Sequence, residues 1–237
     1  MTSYLAATYA ITPFPKLWAG RLSKLMSRDG LTEIVDLGSG AGGPVGRVAK
    51  ELEARGFQTS VTLTDLYPNG RVPQFRADGV GSIRYWPEPV DATRVPAGFS
   101  GIRTMFASFH HFRPDPARGI LRDAFHQRRP ICIFEATSRT PAAIASTVLI
   151  PLLVLVLTPM VRPVSWVQIL LTYVVPILPL LIFWDGLVSQ LRTYSVAELK
   201  EFTRDLESPA YLWEAGLIEI PRMPAGVPYL VGRPTRM

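Results

Sequence analysis

Four glycines fall within six positions, Gly38, Gly40, Gly42 and Gly43, directly after a short apolar stretch that ends at Leu37. Glycine lets a backbone turn tightly and approach a ligand closely. A helix opening just beyond such a turn presents free N–H groups at its N-terminus, which suits a nucleotide or a carboxylate. Through Gly38, Gly40 and Gly43 the run also fits G-x-G-x-x-G, so a dinucleotide is one candidate ligand. Asp36, two residues before the first glycine, bears on the choice. A fixed carboxylate there repels a pyrophosphate and favours an ammonium or sulfonium, directly or through water. Asp65 closes the next apolar stretch, where an acidic side chain accepts from both hydroxyls of a ribose in either class of ligand. His110 and His111 stand side by side, and histidine is the side chain most often used to move protons near neutral pH. At least one of them reads as packed or bonded to backbone, and His110 is the candidate general base. Cys132 is the only cysteine, too few ligands to join the histidines around zinc, so no metal is expected.

The elements that must position these residues follow from the periodicity. Glu33–Leu37 reads as a strand, residues 44–55 as a helix with Pro44 in its first turn, and Ser60–Thr64 as a second strand. Together they make a β-α-β unit of the size a parallel sheet requires. Residues 82–86, 102–108 and 130–135 read as further strands, with residues 114–127 a helix between the last two. Residues 1–29 read as one or two helices, with apolar residues at helical spacing around Leu17, Leu22 and Leu25 and interruptions at Pro13 and Pro15. Ser195, with Glu198 three residues on, forms a capping box that opens a helix over residues 195–206. Residues 217–220 and 228–231 read as an antiparallel hairpin closing the sheet. This alternation predicts an α/β, doubly wound fold.

Residues 33–43 (EIVDLGSGAGG) resemble the first motif of the class I S-adenosylmethionine-dependent methyltransferases, and residues 62–67, with Asp65 and Leu66, the second. Asp91-Ala92 resembles the acidic-small pair that contacts the adenine in that family. Residues 105–112 (MFASFHHF) resemble the fourth-strand motif of its small-molecule branch, in which a histidine pair follows the strand. The resemblance covers about residues 30–140 and again 190–237. It implies a Rossmann-like fold, a mostly parallel seven-stranded sheet with helices on both faces. It implies S-adenosyl-L-methionine as cofactor and S-adenosyl-L-homocysteine as product. Cofactor contacts would come from Asp36, Gly38, Ser39, Gly40, Asp65, Leu66, Asp91, Ala92 and Ser108, with Phe109 close by. His110 would face the acceptor, with His111 and Asp185 as further catalytic candidates. The Asn/Asp-Pro-Pro-Tyr signature of enzymes that methylate nucleic-acid or glutamine nitrogens is missing, which argues against those substrates.

Beyond the fifth strand the chain departs from that family. Residues 142–161 hold no charged residue in 20 positions and residues 164–184 none in 21. Each is long enough to cross a hydrocarbon core as a helix of about 30 Å. Arg162-Pro163 separates them, Trp166 and Trp184 suit interfacial depths, and Arg139 and Arg192 flank the block. The expectation is a helical hairpin with both ends on one side of a membrane, spanning it or lying shallowly in its interface. A buried lid or a hydrophobic dimer surface is the soluble alternative. Pro151, Pro159, Pro176 and Pro179 break or kink these helices. The expected organisation is therefore residues 1–29 as an N-terminal helical segment, 30–140 with 189–237 as the cofactor-binding domain, and 141–188 as the inserted hairpin. Asp185 would end a long apolar helix, a costly place unless it faces water, a partner or a substrate. It reads either as an interfacial residue or as a carboxylate that orients substrate or acts as base. Arg192 and Tyr194 could share that wall, and the resemblance to the methyltransferases implies that Tyr4 and Tyr9 of the N-terminal segment line a lid.

Composition narrows the partners. Hydrophobic residues make up 48% and charged residues 19%, with a net charge of +6. No run of four Lys/Arg occurs, which argues against nucleic acid. Residues 1–17 lack the apolar core of a signal peptide. The sequence thus predicts a membrane-associated methyltransferase, its catalytic domain on the cytoplasmic side. It would act on an oxygen, nitrogen or carbon of a hydrophobic small molecule or lipid, in an oligomeric state left open. Two other readings compete. One is a nicotinamide-dependent oxidoreductase, for which no Tyr-x-x-x-Lys pair is present. The other is a cofactor-binding membrane scaffold without chemistry.

Overall fold

The computed structural model describes residues 2–68, 82–161, 165–221 and 225–235. Two helices, α1 (Thr2–Ile11) and α2 (Phe14–Asp29), precede the sheet. Pro15 falls in the first turn of α2, where a missing N–H costs nothing, and Gly30 ends the helix in a left-handed conformation. The β-α-β unit then forms with β1 (Glu33–Leu37), α3 (Val45–Glu53) and β2 (Ser60–Thr64), Pro44 capping α3. Next come β3 (Ile83–Tyr85), β4 (Ile102–Phe106), α4 (Pro114–His126) and β5 (Ile131–Phe134).

The insertion follows. It comprises α5 (Pro141–Ser146), α6 (Ile150–Leu157), α7 (Trp166–Ile169) and α8 (Ile177–Arg192). The chain then returns through α9 (Val196–Thr203), β6 (Tyr211–Ile218) and β7 (Val227–Pro234). The capping box of Ser195 and Glu198 is formed at the head of α9.

The seven strands lie in the order β3-β2-β1-β4-β5-β7-β6, and β7 runs antiparallel to both its neighbours. The order reverses between β1 and β4, so their carboxyl ends flank the crevice where open α/β sheets bind ligands. Register fixes what stands there. Asp36 lies opposite Thr104, Leu37 opposite Thr64 and Phe106 opposite Phe134. On one face of the sheet α2 buries Trp18, which stacks on Phe14 and Phe134 at 5.3 and 6.4 Å and meets Phe106 at 5.5 Å. On the other face Ile120 and Leu121 of α4 and Leu199 of α9 form the core with Met105 and Leu230.

Residues 142–161 and 165–184 form kinked and interrupted helices, as their prolines predict, and not one membrane-length helix each. Among the described residues no single helix is long and apolar enough to cross a membrane. Pro141–Leu157 is one apolar helical run, tightened to a 3-10 turn at Thr147–Leu149 and followed by another at Thr158–Met160. Further on, α7 widens into a π turn, Leu170–Val174. That stretch passes the same test only together with α8, from which it is bent by 79°.

The prolines supply the reason. Val175 precedes Pro176 and is driven out of the helical region, to φ −122° and ψ 91°. Pro151 and Pro179 are absorbed in first turns. The connection at Arg162-Pro163, with Val164, lies outside the described residues. α8 also runs on through Asp185 and Gly186 to Arg192, so Asp185 stands inside a helix rather than at its end. A Cβ at Gly186 would come 2.5 Å from Ile150 Cδ1, so α6 and α8 pack closely there. The insertion is tied down at its base, where the Ser138 N–H donates to Gln190 Oε1 at 2.7 Å.

Candidate active site

The glycine turn is held by the end of the neighbouring strand β2. Ser39 N–H donates to the Thr64 carbonyl at 2.9 Å, and Gly40 N–H to Asp65 Oδ2 at 2.8 Å. Gly38, Gly40, Gly42 and Gly43 all have positive φ, between 41° and 89°. At Gly40 and Gly43 an added Cβ would meet no atom of the described residues within 4 Å, so the backbone there leaves room for a ligand to approach. Beneath the turn Asp36 is buried, and both its oxygens accept from hydroxyls: Oδ2 from Ser39 at 2.6 Å and Oδ1 from Thr104 at 2.8 Å. Burial pushes its carboxyl up to about 7. The two hydroxyls oppose that shift, and the charge of Asp65 adds to it. A cation above the turn would reverse it.

The other residues expected at the cofactor gather along the same edge. Asp65 Oδ1 accepts from Tyr67 N–H at 2.9 Å, and Leu66 is exposed beside it. Val90 N–H donates to the Asp65 carbonyl at 2.9 Å, which brings the Asp91-Ala92 loop alongside. Asp91 Oδ1 accepts from the N–H and the hydroxyl of Thr93, both at 2.8 Å, and Ala92 is buried. Ala107, after β4, takes a positive φ of 51°, rare for a side chain with a Cβ. Ser108 follows, and its buried hydroxyl has no hydrogen-bond partner among the described residues. A strained residue next to an orphaned hydroxyl, beside an open glycine turn, fits a bound polar molecule.

His110 begins the acceptor side. It is buried in a 3-10 turn, Phe109–His111, and its ring Nδ1 lies 2.7 Å from Glu135 Oε2. Its backbone N–H donates to Glu135 Oε1 at 2.9 Å. A carboxylate accepting at both oxygens fixes the proton on Nδ1 and leaves Nε2 as the basic nitrogen. Glu135 was not singled out in the sequence. Its signal was the one that marked Asp36 and Asp65, an acidic residue closing an apolar parallel strand. His111 stacks beside His110, ring centroids 4.3 Å apart, and its imidazole pKa is lowered by partial burial and then by the neighbouring His110. Arg192 donates to the His111 carbonyl at 3.1 Å, and the Tyr194 hydroxyl to the Phe112 carbonyl at 2.8 Å, so both fasten this turn.

Above the histidines lies a cavity of about 240 Å³. Its walls are Ala107, His110 and His111 from the β4 side, Ala136 and Thr137 after β5, and apolar residues of α1, α6 and α8. Tyr4, Tyr9 and Asp185 line it too. Burial and the Glu135 carboxylate both push the Tyr9 hydroxyl pKa up, so it stays a neutral donor. The structure thus brings His110, His111 and Asp185 to one cavity, and sets Ser108 and the glycine turn on adjacent strand ends below it.

Seven strands in this order, with an open glycine turn after β1, define the fold of the S-adenosylmethionine-dependent methyltransferases, and solved structures bear this out. The chain is similar to the plantazolicin methyltransferase BpumL in complex with SAH, with a TM-score of 0.58 and 13% identity over 98% of this chain and 90% of that one. It is also similar to the O-methyltransferase NcsB1 from neocarzinostatin biosynthesis, at 0.51 and 16% over 92% and 56%, and to the mitomycin 7-O-methyltransferase MmcR, at 0.52 and 15% over 93% and 54%. The chain therefore spans just over half the length of these last two. No protein-family model matches the chain, and no curated relative matches it in sequence.

Proposed function

We propose that this chain is an S-adenosyl-L-methionine-dependent methyltransferase that methylates a hydrophobic small molecule or lipid and releases S-adenosyl-L-homocysteine. The observation that carries the reading is the His110–Glu135 pair, set beneath a mostly apolar cavity and one strand end away from the glycine turn. The cofactor supplies an already activated methyl group, so the protein's part is alignment, charge and proton handling.

Gly38, Ser39 and Gly40 offer the backbone bed, with Asp36 beneath to balance positive charge. Asp65 and Leu66 stand where a ribose would lie, Asp91 and Ala92 where an adenine would, and the Ser108 hydroxyl is free to bond the cofactor. His110 Nε2 takes the proton from an acceptor that must lose one, while Glu135 holds the ring and stabilises the imidazolium formed. His111 and Asp185 orient the polar end of the acceptor, and the apolar walls hold the remainder and keep water out.

Calorimetry with S-adenosylmethionine, S-adenosylhomocysteine and NAD tests the cofactor. The first two should bind and NAD should not. Transfer of labelled methyl from the cofactor into a total lipid extract tests the acceptor class. Cofactor binding with no labelled product from lipid or aromatic hydroxy compounds would point to the scaffold reading instead.

A further inference from the structure

The roof over the cavity has a second face. Among the described residues, sixteen of the 23 large hydrophobic side chains that remain exposed lie within residues 148–184. Single exposed apolar residues are ordinary, but a contiguous field of them marks a surface that something covers. We propose that this outer face of α6, α7 and α8 docks in the plane of an anionic lipid bilayer, and that the acceptor enters the cavity from that bilayer, between α1 and α6.

Four observations select lipid over a protein partner. Residues 2–15 and 141–184 contain one charged residue, Arg162. The face also offers little to pair with: Gln168 is turned inward to the Tyr4 hydroxyl at 3.1 Å. A protein interface of standard size carries about ten hydrogen bonds and a polar rim. Trp166 and Trp184 are 74% and 64% exposed, amphipathic rings suited to headgroup depth. Exposed Arg192 stands at the base of the roof, the sign that anionic headgroups attract, while Arg139 beside it is paired with Glu198.

Geometry selects docking over crossing. The helical run Pro141–Leu157 and α8 each reach about 25 Å at 1.5 Å per residue, short of a core of about 30 Å. The 79° bend before α8 keeps α7 and α8 from forming one straight span. Such a face sinks about 5–10 Å into the headgroup and acyl boundary. Leu5 and Leu153 place the entrance, for each lines the cavity and each is exposed, at 48% and 39%. The docking stands on this geometry alone. The loading of an acceptor rests on the methyltransferase reading.

The test uses the whole chain, without detergent, and sucrose-loaded vesicles of phosphatidylcholine and phosphatidylglycerol. The protein should sediment with the vesicles. Lipids brominated near the carbonyl end of the acyl chain should quench its tryptophan fluorescence more than lipids brominated at the bilayer centre. Leu152→Glu with Leu180→Glu, two exposed positions outside the cavity wall, should cut partitioning at least about tenfold, since each puts a carboxylate where a leucine would be buried in lipid. Near-UV circular dichroism should not change. Protein left in the supernatant would overturn the docking, as would a detergent-free dimer that the two glutamates dissociate, or quenching strongest at the bilayer centre. Calorimetry with S-adenosylhomocysteine, run without vesicles, keeps the two readings apart. Vesicle binding without cofactor binding would sink the loading step and leave the docking standing.

Discussion

Glu135 grips His110 twice, its Oε2 on the ring Nδ1 at 2.7 Å and its Oε1 on the backbone N–H at 2.9 Å. One carboxylate therefore sets both where the histidine sits and which nitrogen carries its proton. Positioned bases contribute about 10²–10⁴-fold to rate. His110→Gln should lower kcat by about a hundredfold or more, with cofactor affinity unchanged by calorimetry. Glu135→Gln keeps the shape and loses the charge, so a loss of about tenfold in kcat at unchanged acceptor KM is expected. If acceptor KM rises while kcat holds in either variant, the pair shapes the cavity rather than moving a proton.

Asp36 gives a pH signature. Its carboxyl is pushed from an ordinary 3.8 up to about 7, chiefly by burial. The folded chain thus binds more protons than the unfolded one between these values. Its contribution to stability falls as pH rises through that window, by on the order of 4 kcal/mol in total, and levels off above pH 7. A cationic ligand prefers the ionised form. Affinity for S-adenosylmethionine should therefore rise up to about tenfold per unit as pH climbs toward 7 and then flatten, with protons released on binding. Asp36→Asn should melt higher than the parent at pH 8 without cofactor and bind the cofactor with no such slope. Isothermal titrations in buffers of different ionisation heat read both effects.

The β-α-β unit was legible almost residue by residue, because a buried parallel strand, four glycines and an amphipathic helix each announce themselves locally. The insertion was not. Its composition gave the length of the apolar block. The prolines then decided between two crossing helices and a bent roof, and each proline's effect depends on whether it lands in a first turn or beyond one. The last two strands were expected over 217–220 and 228–231 and run eight residues each. Gly216 and Gly232 hid them. A Cβ at either would overlap a cross-strand ring, of Tyr229 and Trp213 respectively, so these glycines are slots for aromatic rings rather than strand ends. Glu135 was visible as a strand-closing acid, but only the fold could show that it meets His110.

The Ser108 hydroxyl is buried without a partner among the described residues. An unpaired buried hydroxyl costs about 1–3 kcal/mol. Ser108→Ala should therefore leave the melting temperature without cofactor unchanged or slightly higher. The same substitution should weaken cofactor binding about five- to twentyfold if the ligand is the missing partner. Differential scanning fluorimetry with and without S-adenosylhomocysteine measures both at once. A variant that melts lower and binds normally would assign Ser108 to packing.

Two glycines with positive φ should answer differently to alanine. At Gly40, φ +54°, the added methyl meets no atom of the described residues, so the cost to the fold is the left-handed strain, about 1–2 kcal/mol. That is a few degrees of melting temperature in a chain of this size. The same methyl projects where the cofactor would lie and should abolish detectable binding. At Gly101, φ +106°, a Cβ would come 2.5 Å from the Glu33 carbonyl oxygen, at the start of β1 and far from the glycine turn along the strand. Gly101→Ala must shift backbone between β1 and β4 and should destabilise the fold by several kcal/mol, while whatever protein folds retains its cofactor affinity. Melting curves and calorimetry on the pair separate a glycine needed for a ligand from one needed for the sheet. Equal losses of binding in both would mean that the turn serves the fold and not a cofactor.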